Sequence, residues 1–198
     1  MKLSSAIPRL MGGLLCAMAL ALPAAAVEVE GVKLDDSAKV AGKDLKLNGA
    51  GVRVRAIFKV YVMGLYLPEK KKTAAEVLAV EGPRRFTLVM LRDVSGSDLG
   101  EAFMAGLNKN TDKAEKSKIV NQMAKFGEMF TTVESLKKGD VLTSDWVPGS
   151  GTVMLLNGKA MSEPLPDIAF YNAILKIWLG DKPADTTLKP ALLGEKAS

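Results

Sequence analysis

Histidine is absent from the 198-residue sequence, and cysteine occurs only once. The lack of histidine excludes a Ser-His-Asp triad, a Cys-His pair and a histidine-ligated zinc site. No group of acidic residues has a spacing suited to calcium or to a pair of catalytic carboxylates, so we expect neither a metal nor a cofactor. The formal net charge of +5 is spread along the chain and is too small to indicate a nucleic-acid partner.

Long apolar runs are also missing, and no segment reaches the roughly 20 residues that a membrane-spanning helix needs. The longest run, Leu10–Leu22, follows the basic residues Lys2 and Arg9 and precedes a Pro-Ala-Ala-Ala segment. This order is typical of a secretory signal peptide, here residues 1–26 with cleavage after Ala26. The alternative is an uncleaved amphipathic anchor.

Cleavage would leave one domain, residues 27–198, that contains no cysteine, because Cys16 lies inside the signal peptide. A cysteine-free protein suits an oxidising compartment, since it needs no disulfide management. With a signal of bacterial type, the sequence predicts a periplasmic location.

The first part of the domain predicts strands separated by a glycine-rich turn. Lys43–Leu47 alternates apolar with charged residues, and Asn48-Gly49-Ala50-Gly51 is typical of a turn that reverses the chain. Residues 53–67 are rich in β-branched and aromatic side chains. They predict one long strand that bends at Gly64.

Helix signals dominate the rest of the chain. Thr73 and Glu76 form a capping box that opens a short helix. Apolar periodicity and turn residues then predict amphipathic helices over 98–110 and 112–130, an antiparallel meander over 140–161 and a buried helix over 168–179. Trp178 is expected to lie in the core with its polar tip satisfied, and the tail after Pro190 is expected to be loose.

The long strand carries the candidate binding residues. In a strand, alternate residues share a face, which groups Arg53 with Tyr61, Met63 and Leu65. This composition indicates a pocket for an amphipathic ligand, with a guanidinium for an anionic head and an apolar floor. The alternative is a solvated sheet face whose arginines pair with nearby carboxylates. A β-bulge would reverse the parity and separate Arg53 from Tyr61.

Two segments of this region, Asn48-Gly49-Ala50-Gly51-Val52-Arg53 and residues 59–67 (KVYVMGLYL), resemble the core motif of the chalcone isomerase-like family. The resemblance continues through Ser95-Gly96, Gly139-Asp140, Asn157-Gly158-Lys159 and residues 178–183 (WLGDKP), and it covers essentially the whole mature chain. It implies an α+β fold in which a large antiparallel sheet is covered on one face by helices. A ligand cleft then lies between the sheet and the helices.

The family resemblance also implies roles for individual residues. Its plant members include isomerases that close chalcones to flavanones and fatty-acid binders that catalyse nothing. Arg53 matches the arginine that stabilises the enolate in the former and meets a carboxylate in the latter. Tyr61 matches the binders, because the isomerases carry threonine there. Leu99 and Gly106 stand where the isomerases place a tyrosine and an asparagine.

These observations lead to three hypotheses. The first is a periplasmic protein that binds a small amphipathic carboxylate or phenolic ligand, such as a fatty acid, without turnover, with Arg53 holding the anionic head and Tyr61 donating a second hydrogen bond. The second is an isomerase of the chalcone-cyclising type, an intramolecular lyase, in which Arg53 is catalytic. The third is an envelope protein-interaction module, in which Arg53 would be paired internally with no cavity beside it.

Overall fold

A computed structural model describes residues 26–195 of the chain. The predicted signal peptide, residues 1–26, therefore lies outside the described residues except for Ala26. The strands are β1 (Ala26–Val29), β2 (Val32–Asp35), β3 (Ser37–Val40), β4 (Lys43–Arg55), β5 (Phe58–Leu67), β6 (Arg84–Met90), β7 (Val94–Ser95), β8 (Ser135–Leu136), β9 (Val141–Val147), β10 (Gly151–Leu156) and β11 (Lys159–Ala160). The helices are α1 (Ala74–Leu78), α2 (Gly96–Asn110), α3 (Lys113–Thr131), α4 (Ile168–Leu179) and α5 (Leu188–Leu192).

The centre of the fold is a seven-stranded sheet with the order β11-β10-β9-β6-β5-β4-β3. Every neighbouring pair is antiparallel. The apolar residues of all five helices join the sheet in one large core cluster, so the helices cover one face. The predicted α+β architecture, a large antiparallel sheet with helices on one face, is confirmed.

Both faces of β5 are buried, each against a different part of the molecule. Tyr61, Met63 and Leu65 belong to the large core beneath the helices. Val62 and Tyr66 point the other way, into a smaller cluster that includes residues of β2, β3 and β4. The face that was predicted to carry a ligand pocket is therefore also the face that carries the main core.

The prediction of one continuous strand over residues 53–67 is wrong. The chain reverses at Ala56-Ile57, so that β4 and β5 form a hairpin with Arg55 opposite Phe58. Ala56 has a left-handed φ of 53°. Neither turn residue is Gly, Pro, Asn or Asp, the residues that mark tight turns in a sequence, and this is why the reversal was missed.

The predicted turn at Asn48-Gly49-Ala50-Gly51 is also wrong, because these residues lie inside β4. The glycines serve a close approach instead. A Cβ built on Gly49 would collide with the carbonyl oxygen of Ala191 in α5. The tail after Pro190, which was expected to be loose, continues α5 onto this glycine surface and buries Leu192 completely.

The predicted starts of α1 and α3 are confirmed by their capping hydrogen bonds, whereas α2 begins at Gly96, with Ser95 as its N-cap, rather than at the predicted Asp98. Thr73 and Glu76 form the reciprocal capping box of α1, and Asp112 and Glu115 form that of α3. The meander of β9, β10 and β11 and the buried helix α4 also follow the prediction. Within residues 26–195, no helix is both long enough and apolar enough to cross a membrane.

Candidate functional site

A β-bulge places Arg53 and Tyr61 opposite each other on neighbouring strands. Near the turn, Val54 pairs with Lys59, but the next pair is Arg53 with Tyr61, so Val60 is the extra residue on β5. Residues directly opposite each other in an antiparallel pair point to the same face. Without the bulge, Arg53 would face Val60. The bulge thus brings together the two residues that it had been expected to separate.

Arg53 is held by its own strand and by the segment that precedes α5. Its Nη1 donates to the carbonyl oxygen of Val54 and lies 3.5 Å from Oδ2 of Asp185. The side chain is 18% exposed, and among the described residues no hydrogen bond engages its Nε or Nη2. The guanidinium therefore keeps donors that are free to meet a ligand.

Asp185 is fixed by several hydrogen bonds. Its carboxylate accepts from the backbone N–H of Val54 at 2.8 Å and from the backbone and hydroxyl of Thr187 at 2.8 and 2.7 Å. Burial acts to raise its pKa, but these hydrogen bonds outweigh burial and hold the pKa of Asp185 below its ordinary value. Asp185 is thus an anion at neutral pH, and it competes with any ligand carboxylate for Arg53.

Tyr61 presents a neutral hydroxyl beside Arg53. Its oxygen accepts a hydrogen bond of 2.8 Å from Nε1 of Trp178. Burial raises the pKa of Tyr61 to about 12, against the lowering effects of the Trp178 hydrogen bond and the Arg53 charge. The phenol therefore stays protonated at neutral pH. Because Trp178 donates to it, Tyr61 has its own proton available for an acceptor placed near Arg53.

Arg53 and Tyr61 both line a small recess between the β4–β5 hairpin and α2. Its volume is about 90 Å³, and its walls are mainly apolar: Val60, Val94, Leu99, Ala102, Phe103, Ile177 and Ala184. The recess shares Arg55 and Asp98 with two wider clefts of about 440 and 400 Å³ at the surface. The arrangement resembles a small subsite for an anion, reached from solvent through an apolar throat.

The third hypothesis, a protein-interaction module, requires Arg53 to be paired internally with no cavity beside it, and the structure meets only the first of these two conditions. Arg53 is paired internally, with Asp185, but a cavity does lie beside it. Trp178 lies in the core with its indole N–H satisfied, as predicted. The contact of Asp185 with this site was not predicted, because Asp185 lies 131 positions after Val54 and no sequence motif marks it.

The residues at the positions of the isomerase side chains serve packing here. Leu99 is 3% exposed and forms part of the apolar wall. A Cβ on Gly106 would lie 2.8 Å from Cγ2 of Ile177, so glycine lets α2 approach α4. Neither position supplies a polar group to the recess. Across residues 26–195, no cluster of three or more His, Cys, Asp or Glu side chains is arranged to hold a metal ion.

Comparison with known proteins agrees with this architecture. The sequence model described as chalcone isomerase-like matches residues 26–194. Among solved structures, a fatty-acid binding protein of Arabidopsis thaliana is similar with a TM-score of 0.67, over 85% of this chain and 96% of that chain. Its sequence is 16% identical, so this likeness concerns the fold. No curated protein sequence matches the chain significantly.

Proposed function

This chain belongs to the chalcone isomerase-like family, and we propose that it binds a small amphipathic carboxylate or phenolic ligand without turning it over. The observation that carries the proposal is the Arg53–Tyr61 pair, which faces an apolar recess from adjacent strands. A permanent cation beside a neutral phenol matches the two oxygens of a carboxylate, one accepting from each side chain. The similar structure from Arabidopsis thaliana is that of a fatty-acid binding protein, which supports the same ligand chemistry.

The size of the recess favours a small ligand or a small inner group. Its volume of about 90 Å³ is well below the roughly 300–1,000 Å³ of pockets that enclose a drug-sized ligand. Leu99, Phe103 and Ile177, each at most 3% exposed, form its most buried wall. A long acyl chain would have to leave through the throat beside Val60 and Val94 and lie in the surface cleft.

Binding without turnover is supported by what the recess offers chemically. Arg53 supplies a fixed charge, but Tyr61, with its pKa raised to about 12, supplies a donor rather than a base at neutral pH. Leu99 and Gly106 replace the polar residues that the family resemblance assigns to the isomerases. A protein-interaction role is weakened by the open recess beside Arg53.

We propose the periplasm as the site of this function, because residues 1–26 have the pattern of a cleaved signal peptide. Cell fractionation combined with N-terminal sequencing tests the location. A periplasmic protein that begins at Val27 is expected, and a cytoplasmic protein that begins at Met1 would contradict it.

The binding proposal is tested by calorimetry with hexanoate, decanoate, hexadecanoate and 4-hydroxycinnamate, and with hexanol as a neutral control. At least one acid should bind and hexanol should not. Arg53→Ala should weaken that acid at least tenfold, since a hydrogen bond to a charged group contributes about 1.5–3 kcal/mol. The matched control is Arg85→Ala, which removes an arginine paired with Asp145 outside the recess.

Two results would contradict the proposal. Equal affinity in the wild type and in folded Arg53→Ala would remove Arg53 from the site. Cyclisation of a 2′-hydroxychalcone faster than its spontaneous rate would replace binding without turnover by the isomerase hypothesis. Native mass spectrometry of the protein from its own cells, followed by analysis of any released acid, identifies the ligand directly.

A further inference from the structure

The tip of the β4–β5 hairpin exposes large apolar side chains, unlike the tips of the other hairpins within residues 26–195. Ile57 is 85% exposed and Phe58 is 53% exposed. Among the described residues, the other large hydrophobic side chains exposed in this way are Val27 and Val120, which stand alone. Isolated exposed apolar residues are common, but two adjacent ones at a projecting turn form a surface that water solvates poorly.

The composition of this turn also departs from the other two-residue turns. Glu30-Gly31, Ala41-Gly42 and Asn157-Gly158 each place glycine second, with positive φ at both residues. The tip has Ala56 at a φ of 53°, followed by isoleucine. Turn geometry does not call for a large apolar residue here, since the preferred turn residues are small or polar. Turn formation therefore does not account for an isoleucine at position 57.

Cations flank the tip. The guanidinium of Arg92 lies 4.7 Å from the centroid of the Phe58 ring, and Arg55 immediately precedes the turn. Within residues 26–195, neither arginine forms an ion pair with a carboxylate. Lys59 follows Phe58 and pairs with Glu30.

Two of the three nearby acids are paired with lysines. Asp93 is paired with Lys137, and Glu30 with Lys59. Asp98 lines the cleft behind the tip. The projecting surface is thus apolar at its end and cationic around it. This combination matches a bilayer that contains anionic lipids, where apolar side chains enter the headgroup region and Arg or Lys contact phosphates.

The tip is continuous with the candidate binding site. Ala56, Phe58 and Arg92 line the surface cleft of about 440 Å³, which shares Val60 and Val94 with the recess that contains Arg53. An amphipathic molecule leaving the recess along this path would arrive at the apolar tip. We propose that residues 55–59, together with Arg92, dock the protein on an anionic lipid surface. This docking needs no ligand in the recess, so it can be tested separately from the proposed function.

The test is flotation of the purified protein with vesicles of phosphatidylcholine alone or with 30% phosphatidylglycerol. The protein should float with the anionic vesicles and bind the neutral ones at least tenfold more weakly. Ile57→Ser should weaken binding to the anionic vesicles about tenfold, since it removes the most exposed apolar side chain. The matched control is Val120→Ser, which removes an exposed apolar side chain from α3 and should leave vesicle binding unchanged.

The electrostatic part has its own pair of variants. Arg92→Gln should weaken binding about fivefold, the loss expected for one cation at an anionic surface, whereas Lys118→Gln on exposed α3 should not. Higher salt should weaken wild-type binding. Ile57→Ser should keep the wild-type affinity for a soluble acid, because Ile57 does not line the recess.

Docking is refuted if the wild type fails to float with anionic vesicles, or if Ile57→Ser and Val120→Ser bind equally. It is also refuted if the tip proves to be a protein contact. In that case the wild type would form a dimer in sedimentation velocity, and Ile57→Ser would dissociate it.

Discussion

Replacing Asp185 by asparagine should tighten the binding of a small carboxylate while making the protein less stable. Asp185 forms an ion pair with Arg53 in the absence of a ligand. If a ligand carboxylate uses the same guanidinium, it must enter beside this negative charge. Removing the charge removes the repulsion and leaves Arg53 without its competitor.

The size of the effect follows from the geometry. The charges of Arg53 and Asp185 approach to 3.5 Å, and at an effective dielectric constant near 20 two unit charges at that distance interact by about 5 kcal/mol. Arg53 is partly exposed, so solvent screens much of this interaction. We therefore expect the binding free energy of the ligand to be more favourable in Asp185→Asn by roughly 1–2 kcal/mol, which corresponds to about tenfold tighter binding.

The loss of stability comes from a backbone donor as well as from the ion pair. The N–H of Val54 donates to Asp185 at 2.8 Å. An asparagine amide nitrogen at that oxygen position would face Val54 as a second donor. An unsatisfied buried donor costs about 1–3 kcal/mol. Because the Val54 N–H is only part-buried, this contribution should lower the free energy of unfolding by about 1 kcal/mol.

The assay is calorimetry with the best-binding acid, combined with urea unfolding. The matched control is Asp145→Asn, because Asp145 forms a comparable ion pair with Arg85, at 2.6 Å and away from the recess. Asp145→Asn should lose stability without gaining affinity. The reasoning is wrong if folded Asp185→Asn binds the acid with unchanged or lower affinity, or if both variants gain equally.

Tyr61→Phe should weaken acid binding by about 0.5–1.5 kcal/mol in calorimetry, and it should also lower stability because Trp178 loses its acceptor. Gly49→Ala should lower the free energy of unfolding in urea by several kcal/mol, because the new Cβ would collide with Ala191. Gly127→Ala, whose new Cβ would have no neighbour closer than 4.0 Å, should instead stabilise α3 by about 0.5–1 kcal/mol. Equal effects of the two substitutions would contradict the packing described for Gly49. Phenol absorbance at 295 nm should not rise near pH 10 but only with alkaline unfolding. Burial raises the pKa of Tyr61 and Tyr66 to about 12, and it also raises the pKa of Tyr171, the third tyrosine, above its ordinary value. The unfolded chain releases these protons at lower pH than the folded protein, so the free energy of unfolding should fall between pH 10 and 12 by about 1.4 kcal/mol per pH unit for each phenol with a pKa of about 12. A non-cooperative rise in absorbance near pH 10 in the folded protein would contradict the burial of the tyrosines.

Local signals predicted helices α1 to α4, but they missed α5 and failed in the first half of the sheet. Capping at Thr73 and Asp112 depends on residues three apart, which a sequence displays directly. Gly49 and Gly51 suggested a turn, because glycine occurs both in turns and where two segments pack closely. Here close packing against α5 applies, and α5 is far away in sequence. The real reversal at Ala56-Ile57 has no turn residues to mark it.

The sequence singled out Arg53 and Tyr61, which line one recess, but it did not predict the geometry that brings them together. Arg53 and Tyr61 were expected to share a face along one strand, but they share it across a hairpin, through the bulge at Val60. Bulges depend on the register between two strands, and a single strand's periodicity carries no record of that register. Asp185 could not be predicted at all, because its contacts with Val54 and Arg53 are made only in the tertiary structure.

The position of α5 has a consequence for how the protein matures. Val54 and Asp185 are separated by 131 positions, and α5 closes over the glycine surface of β4 from late in the sequence. Contacts of such long sequence separation form slowly. A chain still emerging during synthesis has Arg53 without Asp185, and a bare glycine surface in place of a packed one. The complete wall of the recess, which includes Ile177 and Ala184, and the packed glycine surface of β4 are therefore present only in finished molecules.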